Sequence, residues 1–101
     1  MLRQLQREAI IILQKVKDQI HTNSDCTWVY YETPDKMKED IDKYISELEK
    51  GNLLLLDEMY VHFLPTAAYQ EHAIANGWSI IYHKLAEQFD EVYKCLKDKR
   101  C

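Results

Sequence analysis

Residues 53–64 read LLLLDEMYVHFL, and their conformation decides the fold class. Four consecutive leucines and the pair Asp57-Glu58 favour a helix. Tyr60, Val61 and Phe63 favour a strand. Hydrophobic periodicity does not separate a short buried helix from a buried strand. The helical reading is preferred on leucine content and the acidic pair, with Asn52 placed to cap that helix. The alternative is an α+β chain in which residues 54–61 pair with residues 27–32 as a small two-stranded ribbon. Residues 26–32, CTWVYYE, suit an extended chain through Trp28, Val29, Tyr30 and Tyr31, and also fit a turn of helix laid over the core.

Working outward, the segment before this stretch carries the clearest helix signals. Thr33 is a good N-cap, Pro34 sits at the first helical position, and Asp35 and Glu39 lie near the positive end. Met37, Ile41, Tyr44, Ile45 and Leu48 make an apolar stripe, and Gly51 stops it in the left-handed position after the last turn. Residues 2–21 predict an earlier helix with Leu2, Leu5, Ala9, Ile12, Leu13, Val16 and Ile20 on one face. Ile10 and Ile11 widen that face, which implies more than one neighbour. Thr22-Asn23-Ser24-Asp25 then breaks the helix with side chains that compete for backbone hydrogen bonds.

After the deciding stretch, residues 63–79, FLPTAAYQEHAIANGWS, hold both kinds of punctuation in a chain with only two glycines and two prolines. Pro65-Thr66 starts a short helix and Asn76-Gly77 stops it at Ala75. A last helix runs from Trp78 to Leu96, with Trp78, Ile81, Tyr82, Leu85, Phe89, Val92, Tyr93 and Leu96 on one face. Lys94, Lys97, Lys99 and Arg100 gather at its C-terminal end, where the helix dipole favours cations. The expectation is an all-α domain over residues 1–101, of four to five helices with short connections.

Composition sets limits on function. Thirteen Lys and Arg against seventeen Asp and Glu give a net charge of −4. That argues against nucleic acid, whose phosphates need a basic face, and against a polybasic membrane helix. It suits a basic protein partner. No apolar run is long enough to span a bilayer, and the N-terminus lacks the features of a signal peptide. Three cysteines, Cys26, Cys95 and Cys101, show no CxxC spacing. They read as reduced thiols of a cytoplasmic protein.

No strong catalytic motif is present: no phosphate-binding glycine loop, no HExxH and no GxSxG. Asp57 and Glu58 are adjacent, so on a helix they point about 100° apart and do not share one substrate bond. Cys95 has no histidine within reach along its helix. A metal-dependent enzyme or sensor would need His62, His72, His83 and Glu87 to converge through packing, and elemental analysis without bound metal would end that alternative. A second alternative is a homo-oligomer joined through the wide face of the first helix, which a concentration-independent monomer in light scattering would remove. No cofactor and no catalytic residue are assigned.

The aromatic content carries more. Seven tyrosines and two tryptophans exceed the needs of a small core, and these residues anchor interfaces. Tyr30, Tyr31, Tyr60 and Tyr69 fall off the apolar stripes. Together with Gln70, Glu71 and His72 they form the candidate partner-binding set, displayed in part on a corner fixed at both ends. In size, acidity and aromatic content the chain resembles small bacterial proteins that neutralise a partner, such as toxin-immunity proteins. The likeness implies a protein partner and assigns no site residue. The expected function is a non-enzymatic protein-binding module of immunity or inhibitor type.

Overall fold

The computed structural model describes residues 2–20, 33–64 and 67–98. They form five helices: α1 (Leu2–Asp18), α2 (Pro34–Glu49), α3 (Leu56–His62), α4 (Ala68–Asn76) and α5 (Ser79–Asp98). Among the described residues there is no strand, so the fold is all-α. The deciding stretch is helical because its burial follows the helical period. Leu56 and Met59 enter the core while Asp57 and Glu58 face water. Residues 54–61 are therefore not half of a ribbon. The other half, residues 27–32 with Tyr30 and Tyr31, lies outside the described residues.

α2 begins and ends as its sequence dictates. Thr33 is extended and its side chain accepts a hydrogen bond from the Lys36 amide at 3.3 Å. At the other end Gly51 adopts φ +79°. The Asn52 amide reaches the Glu47 carbonyl at 2.9 Å, and the Gly51 amide reaches Leu48 at 3.0 Å, which closes the helix. Asn52 does not cap α3. Its Oδ1 accepts from the Leu54 amide at 3.0 Å and its Nδ2 donates to Glu47 at 2.5 Å, building a turn ahead of the helix. Leu55 takes the N-cap position with no side-chain bond.

α1 runs antiparallel to α2, with Lys17 paired to Asp42 at 2.7 Å at one end and Gln6 against Gly51 at the other. Its stripe of Ala9, Ile12, Leu13, Val16 and Ile20 is buried between α2 and α5. Ile10 packs partly against that core, whereas Ile11 remains exposed. α3 and α4 cover the remaining side of α5. Phe63 stacks on Phe89 at 4.4 Å between ring centres and meets Tyr69 edge-on at 4.9 Å. The Tyr82 hydroxyl donates to the Phe63 carbonyl at 2.6 Å and so pairs a buried group at the end of α3. Of the stripe expected on α5, Ile81 departs and stays exposed.

Candidate functional site

The expected corner forms between α4 and α5, and its inner face is made of residues expected on its outer face. The buried stripe of α4 is Ala68, Tyr69, His72 and Ala73. These positions repeat at helical spacing, so they turn to the core together. Tyr69 and His72 are fully buried and cannot meet a partner in this conformation, which corrects their place in the binding set. The outward positions are Gln70 and Glu71, both half-buried, and Ile74 and Ala75, both exposed.

Four features hold the corner. Gly77 takes φ +80°, a left-handed conformation that suits glycine. The Trp78 amide donates to the Ala73 carbonyl at 3.0 Å. Asn76 is a brace rather than a displayed group, since its Nδ2 donates to the His72 carbonyl at 3.0 Å. The buried indole of Trp78 donates from Nε1 to His72 Nδ1 at 2.9 Å. Accepting at Nδ1 places the imidazole proton of neutral His72 on Nε2. The start of α4 differs from expectation. The helix begins after Ala67, which offers no capping side chain, and Pro65 and Thr66 lie outside the described residues.

Large apolar side chains stand on both sides of this turn. Ile74 is 61% exposed on the last turn of α4, and Ile80 is 77% exposed on the first turn of α5. Ile81 beside it is also exposed. The charged residues nearest the turn are Glu71 on α4 and Lys84 on α5, with Glu87 about one turn further along α5. The corner is thus apolar at its edges, with carboxylates of both helices and one lysine near it. Ile74 and Ile80 do not stand out in the sequence, although a signal is present for Ile74. Once Ala68, Tyr69, His72 and Ala73 are read as the inward stripe, Gln70, Glu71 and Ile74 must face out.

Tyr60, the remaining member of the expected set, has a structural role. It stacks on Tyr93 with ring centres 4.0 Å apart and planes 6° from parallel. Its hydroxyl donates to Asp90 at 2.5 Å, and the Tyr93 hydroxyl donates to Asp57 at 2.6 Å. Each helix thus contributes an Asp followed three residues later by a Tyr, and the two pairs cross. Lys94 approaches Asp90 at 2.9 Å and Lys97 approaches Asp57 at 3.2 Å. The hydrogen bond from Tyr93 holds the Asp57 carboxyl below its ordinary range, and the one from Tyr60 does the same for Asp90. In return, the bond to Asp57 pushes Tyr93 up to about 12.

The histidines do not converge. His62 pairs its Nε2 with the Tyr44 hydroxyl at 2.9 Å, whereas His72 belongs to Trp78 and His83 is exposed. Among the described residues no three His, Cys, Asp or Glu side chains are arranged to hold a metal ion. Burial keeps the His62 imidazole below its ordinary range. Burial also pushes the Tyr69 hydroxyl well above the usual tyrosine range, and that hydroxyl has no hydrogen-bond partner among the described residues. Cys95 is disulfide-bonded, so it is not a free nucleophile. This departs from the expectation of a reduced thiol at Cys95. Among the described residues no helix is long and apolar enough to cross a membrane. No protein-family model, curated protein or solved structure matches the chain.

Proposed function

We propose that the protein is a non-enzymatic binding module that holds a basic protein partner on the α4–α5 corner, in the manner of a small immunity or inhibitor protein. The observation that carries this reading is the pair Ile74 and Ile80, exposed on either side of a turn that is fixed from within. Single exposed apolar residues are ordinary, and Leu54 and Val61 are examples here. The corner adds a turn fixed by Gly77 and by the Trp78–His72 bond, so immobilising it costs a partner little. Ile74 and Ile80 supply apolar anchors. Glu71 on the same outward face of α4, with Glu87 on α5, supplies a field that draws in a basic surface.

The test is capture from the native host at physiological salt. The wild-type chain and the double variant Ile74→Asp, Ile80→Asp are immobilised side by side. A stoichiometric basic protein should be retained by the first and lost from the second, with both variants equally helical by circular dichroism. Retention of the same partner by both, or no stoichiometric partner at any salt, would contradict the proposal.

A further inference from the structure

A second surface, rich in cations, lies at the opposite end of the molecule. Asp57 at the start of α3 meets Lys97 at the end of α5, and Gly51, a few residues before Asp57, abuts Gln6 of α1. The N-terminal half of α1 therefore shares an end with the C-termini of α2 and α5. The α4–α5 corner is at the other end of α5, which has 20 residues and so extends about 30 Å. Between α1 and the last turn of α2 runs an open groove of about 510 Å³, lined by Arg3, Gln6, Arg7, Ile10, Leu48, Glu49, Lys50 and Gly51.

The two arginines of this groove are not neutralised. Among the described residues neither Arg3 nor Arg7 takes part in an ion pair or side-chain hydrogen bond. Lys50 pairs with Glu47 at a loose 3.7 Å. In a chain of net charge −4, three cations face one groove, with Glu49 on its lining and Glu47 beside Lys50. The floor is apolar, formed by buried Leu48 and partly buried Ile10.

We infer that this groove binds an acidic peptide segment of a partner protein. Arg3 and Arg7 are four residues apart on one helix, so their side chains leave α1 about 5–6 Å apart. Carboxylates two residues apart in an extended peptide are about 6.6 Å apart, which matches. A neighbouring apolar side chain of that peptide rests on Ile10 and Leu48. Nucleic acid fits less well, because three cations in an acidic protein neutralise few phosphates. A free phosphate needs convergent backbone amides. Here the amides of Lys50, Gly51 and Asn52 already donate to Ser46, Leu48 and Glu47.

The experiment is fluorescence anisotropy with the full chain and a labelled peptide, Glu-Ala-Glu-Leu-Glu-Ala, beside its Gln-for-Glu counterpart. The acidic peptide is expected to bind at low salt at least about tenfold tighter than the neutral one, with affinity falling as salt rises. Arg7→Glu and the milder Arg7→Gln should each weaken it by about fivefold or more, while Lys15→Glu, on α1 outside the groove, should not. Equal binding of the two peptides, or unchanged affinity in both Arg7 variants, would overturn the assignment. So would full displacement by inorganic phosphate or a single-stranded oligonucleotide at matched concentration.

Discussion

Trp78 donates its indole N–H to Nδ1 of His72 across 2.9 Å, and both side chains are buried. This one bond ties the end of α4 to the start of α5. It is the inner support of the turn that Ile74 and Ile80 flank. Trp78→Phe keeps an aromatic plug but leaves His72 Nδ1 without its donor. Loss of a buried partner costs about 1–3 kcal/mol, so the urea midpoint should fall accordingly. His72→Phe in turn leaves the buried Trp78 indole N–H without its acceptor, so the double variant, which removes both polar groups, should cost less than the two changes summed, which a double-mutant cycle measures.

Gly77 sets the direction of the same corner. At φ +80° an alanine meets no neighbouring atom within 4 Å, so its cost is backbone strain alone. Gly77→Ala should destabilise by about 1–2 kcal/mol, read from chemical denaturation. Gly51→Ala carries the same backbone strain at φ +79° and adds an ordinary 3.5 Å contact with Gln6, so the two variants should be close.

The crossed pairs Asp57–Tyr93 and Asp90–Tyr60 give the fold a signature at both extremes of pH. Both carboxyls are held below their unfolded values, so their stabilising effect is present at neutral pH and is lost as pH falls through the folded values, below about pH 4. The tyrosines are raised, so their effect is full below about pH 10 and is lost as pH climbs toward the folded value of about 12 for Tyr93. Absorbance at the tyrosinate band should show a late-titrating component that Asp57→Asn brings to lower pH. Replacing Tyr60 by Ala removes the stack and should cost about 0.5–1.5 kcal/mol beyond the lost burial.

His62 adds a milder acid dependence. Burial favours its neutral form, against the opposing pull of the Asp40 and Glu58 charges. The unfolded chain therefore takes up its proton first. Stability is full above about pH 6.5 and declines as pH falls below it. The urea midpoint of His62→Gln should be flatter than wild type between about pH 6.5 and 5.

Much of the fold is legible in the sequence. Thr33, Pro34 and Gly51 bound α2 as read, because caps act locally and their chemistry is written in adjacent residues. The stretch 53–64 resolves as helical because Leu56 and Met59 face one core, something a leucine run conceals. The surface is harder to read. Tyr69 and His72 look displayed because they are polar, yet tertiary partners such as Phe63 and Trp78 draw them inward. Tyr60 looks idle because its partner Asp90 is thirty residues away. Ile74 and Ile80 draw no notice because an apolar residue reads as core until the helix wheel is filled. The pairing of Cys95 is hidden because cysteine spacing alone does not reveal which thiols meet.

The claim that the α4–α5 corner is a contact surface is tested most directly by calorimetric titration of the captured partner. Ile74→Asp should weaken binding at least about tenfold, and Glu71→Lys by a smaller factor that shrinks as salt is raised. Lys15→Glu, exposed on α1 away from the corner, should bind as the wild type does. Undiminished affinity in both corner variants, each still folded, would contradict the account and move the contact elsewhere.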